Sequence, residues 1–367
     1  MPASLVFKQQ DPSTEKILCY TFKTSQNRIL ALNRRMISHN MTWIRYPSNS
    51  WDSSTDIEDV IASQNIISRF MHCYIAFFAP AGLLTGILIL IIFIKNFLQN
   101  RILRNLNIFL LDFTISNIAM IFFSFTVIPR PGYLKATHLG CGVLSFFFNV
   151  SYFNSQYLLI LMLLTLLSPF LFRASWMTTT TQRSLLCVGF ILTCAFCMSV
   201  VVVALLGTDN YHANTDCQVD PLFAWPEYEI IKFTFGFGIP LILQLLCFIL
   251  FFIKAAQSET RNLRKHIHIP LMLVITITIT MFSCRLFYNV MILYRTMLKI
   301  QKIIGTFKNE LMMNIAEIVV FIESCVSLIF ILCLHKPLKN GIAEIIAKCK
   351  RTDTTNNLPD LGDTDAL

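Results

Sequence analysis

The sequence predicts an all-α membrane protein: a bundle of seven transmembrane helices with an extracellular N-terminus and a short amphipathic eighth helix. Three observations lead there. The 367-residue chain is 55% hydrophobic by count and only 14% charged, against roughly 25% charged in ordinary soluble domains. Seven apolar runs reach the roughly 20 residues that a helix needs to cross a hydrocarbon core. They are Met71–Ile94, Leu106–Ile128, Val143–Phe172, Leu185–Leu206, Phe233–Ile253, Leu271–Tyr294 and Leu311–Leu334. Cations also gather on alternate connections. Lipid offers the backbone no hydrogen-bond partner, so only helices and closed barrels span it, and each run is too long for a strand.

The elements follow in order. Residues 1–70 carry mixed charge and many Ser, Asn and Thr, without an apolar stretch fit for a cleavable signal. They are expected to form a loosely ordered extracellular tail, with Asn40 of Asn40-Met41-Thr42 as a glycosylation candidate. Residues 71–334 form the bundle, and Met71–Ile94 acts as its own insertion signal. The inner stretches 95–104, 171–183, 254–268 and 335–367 are then rich in cations, including Arg101, Arg104, Arg261, Arg264, Lys265 and Lys336. The outer connections hold fewer, most of them Arg295, Lys299, Lys302 and Lys308 in the last. The outer 207–229 loop is acidic through Asp209, Asp216, Asp220, Glu227 and Glu229. This asymmetry follows the positive-inside rule and reads the net charge of +9 as topology rather than nucleic-acid binding.

Most of the twelve cysteines are single residues inside apolar runs, where a thiol behaves as a small buried hydrophobe. Cys141, at the outer end of the third run, and Cys217, in the acidic loop, both face an oxidising compartment in this topology. A Cys141–Cys217 disulfide is therefore expected. Beyond the seventh run, Leu338, Ile342, Ile345, Ile346 and Cys349 recur at helical spacing among Lys336, Lys339, Lys348 and Lys350. Residues 335–350 thus read as a basic amphipathic helix in the inner interface, Cys349 as a palmitoylation candidate, and residues 351–367 as a disordered tail.

Four stretches resemble rhodopsin-like G-protein-coupled receptors. "NLNIFLLDFTISNIAMIFF" (Asn105–Phe123) is similar to the family's second helix, with Asn117 where an aspartate usually sits. "FGFGIPLILQLL" (Phe235–Leu246) resembles the fifth helix, with Pro240 at its bulge, and "MFSCRLFYNVMIL" (Met281–Leu293) the sixth. "AEIVVFIESCVSLIFILCLHKPLKN" (Ala316–Asn340) resembles the seventh helix running into a short cytoplasmic one. The resemblance covers about residues 71–350 and implies a plasma-membrane receptor for an extracellular ligand, small molecule or peptide. It also implies signalling to a heterotrimeric G protein through the 254–268 loop and the 335–350 helix.

The family's activation motifs are altered. Counted from Cys141, the Asp-Arg-Tyr triplet falls on Thr165, Leu166 and Leu167, and Pro169 is expected to break the helix soon after. Cys-Trp-x-Pro becomes Cys284-Arg285-Leu286-Phe287, and Asn-Pro-x-x-Tyr becomes Ser327-Leu328-Ile329-Phe330-Ile331. Gly86 stands where the first helix typically has an asparagine. The resemblance therefore leaves two functions: a receptor signalling by a divergent mechanism, as chemosensory-type subfamilies do, or a non-signalling scavenger, decoy or partner subunit. The retained basic third inner loop favours the first.

Four ionisable residues fall inside the runs: Asp112, Arg285, Glu317 and Glu323. A lone charge mid-span costs about 2.5–3.5 kcal/mol on insertion scales, so each should face the bundle and meet a partner. Arg285 is expected to pair with Glu323 in an intramembrane polar network that includes Asp112, Asn117 and Ser327. The alternative is an Arg285 that reaches water in the cavity. Phe148, Asn149, Tyr152, Arg285, Tyr288 and Glu317 are the ligand-pocket candidates. Of these, Asn149 and Tyr152 share one face of the third helix with Gln156. The resemblance puts Glu317 where peptide receptors often carry an acid for a cationic ligand group. Phe148 replaces the amine-binding aspartate and Phe321 the retinal lysine, so neither an aminergic ligand nor a cofactor is expected. The seven histidines lie in tails, loops and span edges without a paired ligand motif, so neither a metal nor an enzyme is expected. No internal repeat supports a transporter.

Overall fold

The computed structural model describes residues 57–98, 105–127, 135–171, 181–206, 214–216, 220, 224–257, 261–301 and 306–344. Among the described residues, seven helices are long and apolar enough to cross a membrane. Helix α1 runs over Ile57–Cys73, through a π-turn at Tyr74–Phe78, and on over Ala79–Leu98. Helices α2, α3 and α4 span Asn105–Val127, His138–Leu171 and Thr181–Ala204. Helix α5 runs over Pro226–Phe233 and Ile239–Gln257 about a second π-turn, Thr234–Gly238. Helix α6 spans Arg261–Ile300, α7 spans Phe307–Leu334, and residues 336–344 form a further helical segment, α8. One strand pair departs from the all-helical expectation: β1 (Lys135–Thr137) lies antiparallel to β2 (Asn214–Asp216), with Lys135 opposite Asp216. The bundle thus has a β-pair end and an α8 end.

Both π-turns end two residues before a proline, Pro80 and Pro240. Proline lacks the amide hydrogen for the carbonyl four residues back, and its ring crowds that carbonyl. Widening the turn by one residue relieves the crowding, and the amides of Ala79 and Ile239 accordingly bond five residues back to Tyr74 and Thr234. Pro169 does not end α3 as expected, since the helix continues to Leu171. The Ser168 hydroxyl donates to the Thr165 carbonyl at 2.9 Å, serving the acceptor that the missing amide of Pro169 leaves open.

Helix α3 is central and packs against α2, α4, α5 and α6, while α7 closes the ring against α1, α2 and α6. Glycines set the α1 approach. A Cβ on Gly82 would sit 2.8 Å from the Cys325 sulfur, and one on Gly86 2.7 Å from Ile118. Gly82 and Gly86 form a small-xxx-small face, so the position of the absent asparagine is a packing point between α1 and α2. Phe77, Phe122, Phe190 and Phe252 are exposed on the outside of the bundle, a placement suited to lipid.

Two further expectations need correction. The tail read as loosely ordered to residue 70 is helical from Ile57. The helices also overrun their apolar runs: α5 begins at Pro226, α6 ends at Ile300 and α7 begins at Phe307. Glu229, Lys232, Arg295, Lys299 and Glu310 therefore belong to helices rather than outer loops. Asn40, Cys217, Cys349 and residues 351–367 lie outside the described residues.

Candidate functional site

The most elaborate polar cluster lies at the β-pair end, around Lys232. Tyr228 and Lys232 are one turn apart on α5 and so share a face, and both side chains are fully buried. The Lys232 ammonium donates to Asp220 at 2.6 Å. Four rings surround it, with centroids at 5.1 Å for Phe148, 5.7 Å for Tyr152, 5.6 Å for Tyr228 and 5.5 Å for Tyr288. Such desolvated cation–π contacts contribute about 2 kcal/mol or more. Asp220, from the α4–α5 connection, also accepts from Tyr228 at 2.8 Å and from the Tyr288 hydroxyl. Arg295 donates to its backbone carbonyl at 3.3 Å. Burial disfavours the Asp220 carboxylate, but the charges of Lys232 and Arg295 and the Lys232 and Tyr288 hydrogen bonds outweigh it and hold the group below the usual range.

A second cluster sits beside it. Glu229 of α5 accepts from Arg295 at 2.8 Å, Lys299 at 2.6 Å and Thr296 at 2.8 Å, all on α6. Lys299 also donates to the Ala224 carbonyl at 2.9 Å. Two acids of the 207–229 stretch read from sequence as an acidic outer loop, Asp220 and Glu229, are buried and neutralised by cations. Glu317 is half-buried, within the electrostatic influence of Asp220, Arg295 and Lys232.

Deeper in the bundle, Arg285 donates through Nε to Glu323 at 3.1 Å. Its other nitrogens reach the Tyr152 carbonyl at 3.1 Å, Gln156 at 2.9 Å and Ser155 at 2.8 Å. The guanidinium also lies 4.4 Å from the Tyr152 ring centroid. An unpaired buried charge would be strongly destabilising; here the guanidinium is hydrogen-bonded through all three nitrogens. Asn289 ties the arrangement together by donating to the Tyr152 hydroxyl at 3.1 Å. Tyr152 is thus within cation–π reach of both Lys232 and Arg285.

The structure groups the sequence-derived candidates as follows. Phe148, Tyr152 and Tyr288 meet around Lys232, and Asn149, next in sequence to Phe148, is buried and donates to the Ser145 carbonyl at 2.8 Å. Arg285 and Glu323 meet, and Ser327 donates to Glu323 at 3.4 Å. The expected wider network is divided. Asp112 accepts from Asn154 at 3.1 Å, and among the described residues Asn117 donates within its own helix, to Phe113 at 2.7 Å. Sequence reasoning missed Lys232, Tyr228 and Arg295 as site residues. The one available signal was charge facing charge at the ends of adjacent apolar runs.

The α8 end has a different chemistry. Thr165, Leu166 and Leu167, where the charged triplet would fall, are buried, and Thr165 donates to Leu161 of its own helix at 2.8 Å. Leu338 of α8 is fully buried, and a Cβ on Gly341 would lie 2.7 Å from Ile92 of α1. Lys95 of α1 pairs with Glu344 at 2.9 Å. His335, at the α7–α8 junction, is buried with its Nδ1 unpartnered among the described residues, and burial pushes it down to about 4.

No protein-family model matches the chain, and a search of curated proteins finds no match either.

Proposed function

We propose that the chain is a rhodopsin-like seven-transmembrane receptor of the plasma membrane with its N-terminus and β pair outside. In this reading it binds an extracellular ligand at the β-pair end and signals to a heterotrimeric G protein at the α8 end. One observation carries the reading: a polar site at the mouth of a seven-helix bundle runs through a single residue, Tyr152, into a mid-membrane ion pair. An event at Lys232 then has a physical route to the packing of α3, α6 and α7. Strand β1, which leads into the helix bearing Cys141, pairs with β2, which ends one residue before Cys217 in sequence, and Cys141 is not among the free thiols. Both support the proposed Cys141–Cys217 bridge. The 254–268 segment and α8 would contact the partner, with α8 lying in the inner interface and Cys349 palmitoylated.

The apolar packing of Leu166 and Leu167 favours one second reading, a non-signalling scavenger, decoy or partner subunit, because no charged latch remains there to be opened. A G-protein activation panel separates the two, run on surface-expressed wild type beside Leu166→Arg and Arg285→Ala. Basal or ligand-evoked activation by the wild type removes the second reading. Silence of all three proteins at normal surface levels removes G-protein coupling.

A further inference from the structure

An ion pair alone would need only a carboxylate opposite Lys232. The chain instead surrounds the ammonium with four aromatic rings from three helices and leaves it no exposure to solvent. A box of ring faces with one carboxylate is the chemistry that recognises organic cations. Buried acceptors stand nearby. The Oδ1 atoms of Asn149 and Asn289 find no partner among the described residues, and Asn289 is hydrogen-bonded to the box residue Tyr152. Asp220 reaches the box from the α4–α5 connection, so a ligand arriving from the β-pair end would meet its counterion first.

Phe148 in place of an amine-binding aspartate argues against an amine ligand, but Asp220 supplies a carboxylate from the α4–α5 connection. We propose that this box is a binding site for a primary alkylammonium group, filled in this state by Lys232 of the chain itself. A ligand bearing such a group displaces the Lys232 ammonium from Phe148, Tyr152, Tyr228 and Tyr288 and keeps Asp220 as its counterion. Lys232 thereby acts as a built-in competitor that raises the affinity a ligand must have. The proposal rests on the receptor reading for its biological use. Its test reads binding, so the two can fail separately.

Lys232→Ala removes the equivalent of one propylammonium ion and leaves the box empty. The detergent-solubilised variant is expected to melt at a lower temperature than wild type. Propylammonium chloride should raise that temperature with a mass-action dose dependence. Sodium chloride at equal ionic strength and 1-propanol should have no such effect, and wild type should not respond. Adding Asp220→Asn should abolish the propylammonium response. A response no larger than that to sodium chloride, or an equal response in wild type, overturns the proposal. If Lys232→Ala yields no folded protein, its yield in medium containing propylammonium becomes the readout. Recovery of yield supports the site, and no recovery overturns it.

Discussion

The two ends of the bundle hold themselves together by different means. Among the described residues, five of the buried Asp, Glu, Lys, Arg and His side chains lie at the β-pair end: Asp220, Glu229, Lys232, Arg295 and Glu310. Arg285 and Glu323 lie at mid-depth, and His335 is the one at the α8 end. The first end is fixed by charge-assisted hydrogen bonds, which are directional and shorter than neutral ones. The second is fixed by apolar side chains, whose contacts tolerate sliding far better. A bundle made this way is positioned firmly at the β-pair end. At the opposite end the one ion pair among the described residues is the partly exposed Lys95–Glu344 pair. Its helices can therefore move at little electrostatic cost, and the loss of a charged triplet at Thr165–Leu167 need not immobilise that end.

The largest test of this contrast is at mid-depth. Arg285→Ala should lose about 3–5 kcal/mol, because it strands Glu323, whereas Arg285→Met with Glu323→Leu should recover much of that. A thermostability double-mutant cycle showing simple additivity would dissolve the pair. At the α8 end, truncation should matter instead. Leu167→Ala is expected to cost about 2–5 kcal/mol, with no dependence on salt. A salt-sensitive loss would reveal a hidden charge there.

The ends should also titrate apart. His335 is held below its ordinary value of 6.5, so its neutral form stabilises the fold fully above that pH. The contribution is lost as pH falls toward 4, by roughly 2 kcal/mol at pH 5. His335→Phe should flatten that stretch of the melting-temperature profile. Asp220, held below 3.8, keeps its stabilisation through the same range and loses it only in stronger acid. Tyr288→Phe removes one charged hydrogen bond at the β-pair end and should cost about 1.5–3 kcal/mol, with Lys232 still caged. Smallest of all, Lys95→Ala breaks a partly exposed pair and should cost about 0–1 kcal/mol in a melting assay.

Sequence periodicity and length made the seven helices legible, since no other element uses such apolar runs in lipid. Helix ends were not legible. Arg295 and Glu229 look like loop residues until their partners on the neighbouring helix are known, as does Lys232 until Asp220 is placed beside it, and hydropathy counts each charge as if it were alone. Arg285 and Glu323 could be paired in advance because each sits deep in its own apolar run, and they stand 3.1 Å apart. Asp220 could not, because it comes from a connection whose path no local pattern dictates. Pro240 marked a bulge that proved to be a π-turn. Pro80 makes the same feature in α1. The strands of β1 and β2 are three residues each, too short to show alternation.

The distribution of charge over helices also orders the biogenesis of the protein. Glu229 sits on α5 and Arg295 and Lys299 on α6, so these two helices can neutralise one another as they leave the translocon as a hairpin. Arg285 cannot be matched within that hairpin, because Glu323 follows 38 residues later on α7. Until then α6 carries an unmatched guanidinium, at a cost of about 2.5–3.5 kcal/mol on insertion scales. The Arg285–Glu323 pair can therefore close only once the seventh helix is present.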